Sequence, residues 1–287
     1  MRPGLLALSV AVTTAACMNR GVPADTSPEI RPRAGAAVAP ASLRLVTYNV
    51  HDEPGGAIAA ALRGSAALAG ADLVVMQEVR AHGGCSAACA AARELGMSSV
   101  YAPGHLEGPG SEGVAIMSRW PLRDVEVIEL PREHVVFNSG RRAAVAATVD
   151  TEAGPLRVFA VHLDNRVNPA ARVRQLRPVL AAAAAHDGPA LVAGDVNTNP
   201  FLWIGHVVPV PAGVQHRRLE AAVRAAGLDT PVTGSGPTHQ WLSMRLDAIY
   251  SRGLRVPRYG VEQAVRISDH LPLWAVVEIA DATADRR

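Results

Sequence analysis

From residue 42 onward, short apolar runs rich in Val, Leu, Ile and Ala are separated by alanine-rich stretches. The apolar runs, bounded by Gly, Pro, Asp or Asn, predict strands over residues 43–50, 72–77, 113–118, 124–130, 143–150, 156–162, 190–193, 247–251 and 273–279. The alanine-rich stretches predict helices over 57–69, 87–95, 169–186 and 216–226. Strands outnumber helices and several follow one another directly, so a strict βαβ alternation is excluded. With no internal repeat, the pattern describes one domain over residues 42–281 and a short tail at 282–287.

The N-terminus follows different rules. Residues 1–16 hold one positive charge, Arg2, then an apolar run over 5–12, then small residues, which is the order of a secretory signal peptide. That run is too short for a bilayer, which needs about 20 apolar residues. Cys17 follows Thr14-Ala15-Ala16 and resembles the acylated cysteine of a bacterial lipobox, with Thr14 where leucine is usual. The expected location is the cell envelope, as a lipoprotein of the periplasm or cell surface held to the membrane by an N-terminal lipid anchor; plain secretion is the alternative. Residues 17–41 carry this lipidation site and then Pro23, Pro28, Pro32 and Pro40, a composition that predicts an extended tether. In an oxidising compartment Cys85 and Cys89 can close a small disulfide loop; as thiols they would share one helical face.

Composition narrows the function classes. The chain is 49% hydrophobic and 19% charged, enough apolar material for a sizeable core, which excludes a disordered or fibrous protein. All 28 basic residues are arginine, and the net charge of +2 is too small to argue nucleic-acid binding by itself. Aromatic residues at 4% argue against an extended base-stacking platform.

The candidate chemistry sits at strand ends. Asn49, Glu78, His162, Asp195 and Asn197 each close an apolar run, Asp247 opens one, and Asp269-His270 precede the last. If these ends converge on one rim, carboxylates and amides without cysteine make a hard-oxygen site suited to Mg²⁺, Mn²⁺ or Ca²⁺.

In order, Thr47-Tyr48-Asn49, Gln77-Glu78, residues 112–119, Val161-His162-Leu163, Gly194-Asp195-Val196-Asn197, residues 246–249 and Ser268-Asp269-His270 resemble the endonuclease/exonuclease/phosphatase superfamily. The resemblance runs over nearly all of residues 43–279. It implies an α/β (α+β) four-layer sandwich: two mixed β-sheets face to face, with helices on both outer faces. It also implies a divalent-metal-dependent hydrolase of phosphate esters that works by direct attack of water on phosphorus. On that basis Glu78 is the principal metal ligand, with Asn49 beside it and Asp269 a further contributor. Asp195 orients and deprotonates the water, while Asn197 holds Asp195 or donates to a phosphate oxygen. His270 contacts the scissile phosphate and is oriented by Asp247. His162 serves the leaving group with Glu112 as its carboxylate partner, and Arg142 faces the phosphate.

The same residues leave the substrate open among nucleic acid, a phospholipid headgroup and a small phosphodiester. The apolar segment 201–211 follows the Asp195 motif and suits either lipid contact or core packing. Arg172, Arg174 and Arg177 could meet a nucleic-acid backbone or simply solvate a helix. His51, His105, His206 and His239 lack a motif and are expected to be structural or at the surface. A monomer is expected. The alternative to an enzyme is a catalytically idle scaffold that binds a partner at the cell envelope.

Overall fold

The computed structural model describes residues 20–33, 38–133, 140–199 and 210–279. The signal segment, Cys17, residues 201–209 of the apolar segment with His206, and the C-terminal tail lie outside the described residues. In chain order the elements are β1 (Glu29–Arg31), β2 (Ser42–Asn49), α1 (Gly55–Gly64), β3 (Leu73–His82), β4 (Cys85–Ser86), α2 (Ala87–Leu95), β5 (Ser98–Glu107), β6 (Gly110–Ser118), β7 (Arg123–Glu129), β8 (Ala143–Thr151), β9 (Gly154–His162), α3 (Pro169–Ala185), β10 (Ala190–Asp195), α4 (Ala212–Ala225), β11 (Asp247–Arg252), β12 (Leu254–Val261) and β13 (Leu273–Ile279).

Two mixed sheets form the centre. One runs β1-β5-β6-β3-β2-β13-β12 with β4 on β3, and the other runs β11-β10-β9-β8-β7. Among the described strands β2–β3 and β9–β10 pair in parallel, and the other pairs are antiparallel. Each central strand splits its side chains by the two-residue period of the pleat. Leu43, Leu45, Leu73 and Val75 of the first sheet meet Val145, Ala147, Val158 and Leu191 of the second in one buried layer. The alternate residues Val46, Tyr48, Val74 and Met76 face α1 and α2. Ala144, Ala146, Phe159 and Val192 face α3 and α4. The result is a four-layer sandwich, and it explains why so many strands lack a polar face: both of their faces are covered.

Differences from the sequence-based elements have local causes. Helix α1 starts at Gly55 behind Pro54 and stops at Gly64, where Ser65 turns extended, so it is shorter than 57–69. Helix α4 starts at Ala212, directly after Pro211, ahead of the expected residue 216. Strand β5 is not announced by the apolar pattern because it contains Pro103 and Gly104, and its register shifts there. Strand β12 contains Pro257 within a similar irregularity at the sheet edge.

The stretch expected to be a tether is laid on the domain in part. Strand β1 pairs with β5, and Ala39 is fully buried and bridges to Thr151. Cys85 and Cys89 are joined by a disulfide that ties β4 to the first turn of α2. Ser86 caps that helix by accepting from the Cys89 N–H at 3.1 Å. Arg172 does not present a basic face. It is buried in α3, where it donates to Asp164 O and Gln215 Oε1. Arg174 is paired with Glu133.

Candidate active site

Strand register builds the site. In the second sheet Asp195 stands opposite His162 of β9 on one side and Asp247 of β11 on the other. In the first sheet Asn49 stands opposite Gln77, and Glu78 follows. Two backbone departures aim the chemistry. The β3–β6 register shifts between Met76 and Val79, and Glu78 there takes φ 53°, a bulge that turns its carboxylate out of the ladder. Gly194 has φ 148°, and a Cβ on it would lie 2.0 Å from Val161 O. A glycine is therefore required for β10 to deliver Asp195 beside His162.

The side chains close into one network. Asn49 Nδ2 donates to Glu78 Oε1 at 3.0 Å and to Asp195 Oδ2 at 3.1 Å, joining the two sheets. His162 Nε2 and His270 Nε2 each lie 3.6 Å from Asp195 Oδ2. His162 Nε2 is also 3.7 Å from Glu78 Oε1. His270 Nδ1 pairs with Asp247 Oδ2 at 2.9 Å. The Asn197 N–H donates to Asp195 Oδ1 at 2.8 Å, and its side chain donates to Leu163 O, so Asn197 holds Asp195 in place. Arg142 Nη1 donates to His162 Nδ1 at 2.9 Å, which leaves the ring proton of a neutral His162 on Nε2, facing the carboxylates.

Burial and neighbouring charge set the protonation states. Burial pushes the Asp195 carboxyl up, with Asp247 adding to the rise against His270, to about 7. Burial opposes charge on His270, yet Asp247 and Asp195 outweigh it and hold the ring up at about 10, as an imidazolium. His162 is held well below the usual histidine range by burial and by the Arg142 charge, so it stays neutral. One cationic and one neutral imidazole thus flank a carboxyl that titrates near neutrality.

Two residues without a motif join this site. His51 Nδ1 lies 2.8 Å from Asp269 Oδ1, and His239 Nε2 lies 3.9 Å from Asp269 Oδ2, with its ring 5.7 Å from that of His270. Asp269 is thereby turned toward His51. His51 stands two residues after Asn49, a proximity the sequence shows; His239 reaches His270 only through an isolated bridge between distant segments.

The expected Glu112–His162 pairing is not the one that forms, because Arg142 occupies the Nδ1 side of His162. Glu112 instead lies 3.5 Å from His105 Nε2, in a group completed by Glu107 and Arg20. Burial and the Glu78 charge raise Glu112 to about 7, while burial and nearby arginines lower His105 to about 3. Arg20, Glu78, His105, Glu112, Arg142 and Arg166 are among the side chains that line a polar cavity of about 100 Å³ beside the network. The N-terminal segment therefore reaches the site itself.

A family model described as the Endonuclease/Exonuclease/phosphatase family matches residues 46–270. No curated protein matches the chain. Among solved structures, an endonuclease/exonuclease/phosphatase from Beutenbergia cavernae is 23% identical with a TM-score of 0.66, over 83% of this chain and 72% of that one. A family protein from Leptotrichia buccalis is 18% identical with a TM-score of 0.61, over 82% and 99%. ANGEL2, a 2',3'-cyclic phosphatase, is 16% identical with a TM-score of 0.54, over 83% and 95%. At these identities the likeness is one of fold.

Proposed function

The chain belongs to the endonuclease/exonuclease/phosphatase family, and we propose that it hydrolyses phosphate esters by metal-assisted attack of water on phosphorus. The observation that carries this reading is the placement of Asp195 Oδ2 3.6 Å from both His162 and His270. A carboxylate that titrates near 7 is matched to take a proton from water at neutral pH. Asn49 and the Asn197 N–H fix its two oxygens. The His270 imidazolium, locked by Asp247, donates to a non-bridging phosphate oxygen and opposes the charge that grows there. Neutral His162 donates from Nε2, and Arg142 fixes that tautomer from behind.

A divalent metal fits this donor set. The rim gathers carboxylate and amide groups with no sulfur, a hard-oxygen donor set. Glu78 would hold the ion, with Asn49 and Asp269 as neighbouring donors, and Mg²⁺ or Mn²⁺ suits them, with Ca²⁺ a third candidate. When bound, such an ion supplies Lewis-acid neutralisation of phosphate charge.

The protein from residue 18 onward should hydrolyse bis-p-nitrophenyl phosphate with Mg²⁺ or Mn²⁺ and lose that activity in EDTA. No turnover with any divalent metal defeats the proposal. We further propose that residues 1–16 direct export and that Cys17 becomes the acylated N-terminus. Mass spectrometry of the mature chain decides this: an unmodified Cys17, or a cut elsewhere, rejects it.

A further inference from the structure

The family model begins at residue 46, yet the stretch from Arg20 to Arg31 is fastened to the domain at several points. Strand β1 pairs with β5, and the Ser86 N–H donates to Glu29 Oε2 at 3.0 Å. Arg31 Nη2 donates to Gly84 O at 2.7 Å, and the Leu106 N–H donates to Gly21 O at 2.8 Å. These bonds bring Arg20 to the β5–β6 hairpin. There His105 stands opposite Glu112 in the register, and Glu107 follows His105 by two residues, so the three side chains share one face. Arg20 Nη1 lies 2.9 Å from Glu107 Oε2 and 3.6 Å from Glu112 Oε2, and it touches His105 Nε2. Other guanidinium groups nearby are committed elsewhere: Arg80 to Asp52, Arg141 to Glu129 and Arg142 to His162.

The polar cavity beside Glu78 makes this pairing matter. Arg20, Arg142 and Arg166 line it together with Glu78, Glu112 and Asp164, so its wall sets three cations against three carboxylates. Without Arg20 the carboxylates outnumber the guanidinium groups, and Glu107 loses the cation it pairs with as well. A phosphate ester is an anion, and a wall of net negative charge repels it. We infer that Arg20 is a positioning residue of the cleft, whose charge offsets Glu107 and Glu112 so that an anionic phosphate ester can settle beside Glu78. Its charge acts at the wall and serves substrate and transition state alike, so it governs KM and leaves kcat in place. The stretch ahead of the family region is thus part of the site rather than a spacer. The inference rests on the proposed hydrolysis for its kinetic readout, whereas phosphate affinity tests it without turnover.

The test uses the chain from residue 18, which keeps every described element, at pH 8, above the Glu112 value of about 7 so that this carboxylate is ionised. R20A should raise KM for bis-p-nitrophenyl phosphate about tenfold, the scale of one charge-assisted contact, with kcat within about twofold of wild type. R20K should recover most of the loss, and E107Q/E112Q placed in the R20A chain should lower KM again. The R20A penalty should shrink in about 1 M salt, where the screening length falls to about 3 Å. Inorganic phosphate, titrated in EDTA by calorimetry, should bind R20A about tenfold more weakly than wild type. Equal KM and equal phosphate affinity in the two chains overturn the inference even where R20A melts lower, because Arg20 would then be a latch alone. Failure of E107Q/E112Q to lower KM in the R20A chain overturns it too. Should R20A not fold, E107Q/E112Q beside a retained Arg20 replaces it: KM should fall, and an unchanged or higher KM overturns the inference. Weaker phosphate binding by R20A, with no turnover of bis-p-nitrophenyl phosphate by wild type, would leave the role of Arg20 standing and defeat the proposed hydrolysis instead.

Discussion

Asp195 has both carboxylate oxygens held and two imidazoles 3.6 Å away, so its removal should be costly in rate rather than in folding. D195N and H270A are each expected to lower kcat for bis-p-nitrophenyl phosphate by at least about 10², the usual contribution of a positioned acid or base. Circular dichroism should stay native in both. His105 makes a different prediction, about stability. Its ring is buried with its pKa lowered to about 3, facing Glu112 and Glu107 on one side and Arg20, Arg80 and Arg142 on the others. The unfolded chain binds this proton near 6.5 and the folded chain only near 3, so stability is complete above pH 6.5 and is lost as pH falls toward 3. Glu112 acts oppositely: held up at about 7, it lowers stability as pH rises from its unfolded value near 4.5. The two effects oppose each other above pH 4.5, and below it the His105 slope stands alone. The unfolding free energy of H105N, from urea titrations, should therefore fall less steeply than that of wild type between pH 4.5 and 3, by up to about 1.4 kcal/mol per pH unit. Equal slopes would reject the assignment.

Single elements depend on close approaches that a side chain would block. G194A places a Cβ 2.0 Å from Val161 O at φ 148°, so β10 must leave β9 or the variant must unfold. The expected outcome is loss of activity together with a stability loss of several kcal/mol, read from thermal melts; a stable and active variant would contradict the register. At the other edge, the Cys85–Cys89 disulfide closes a short loop into a helix already capped by Ser86. Loop entropy assigns it about 2 kcal/mol. C85S/C89S should fold and melt a few degrees lower, and an unchanged melting temperature would mean the reduced chain already holds this turn. Of the four strands the sequence pattern does not announce, β1 and β4 are only three and two residues long, and β5 and β12 carry proline residues at register shifts. A bulge accommodates a proline that a regular ladder rejects, and only the pairing partner reveals the bulge.

Across the whole molecule, β1 covers the outer edge of β5 and carries the N-terminal segment to the cleft. A chain starting at residue 38 should lose Arg20 and bare a strand edge, so light scattering should show more association than for the chain starting at residue 18. A monodisperse short form would argue that the edge needs no cover. What the residues determine by themselves is a strand-rich single domain and the motif residues at its strand ends; the layering came from the family resemblance. Unbroken apolar runs mark strands covered on both faces, and the ordered ends at Asn49, Glu78, His162, Asp195, Asp247 and His270 point to one rim. Those are local properties, written in period and neighbour order. Tertiary structure alone decided that Arg142 rather than Glu112 meets His162, that His51 and His239 flank Asp269, and that Arg20 lines the cavity. Each of these joins residues far apart along the chain or on different elements, with no period to announce it. Whether a charged side chain meets its partner depends on strand order and sheet register, which exist only once the two sheets have closed on their common core.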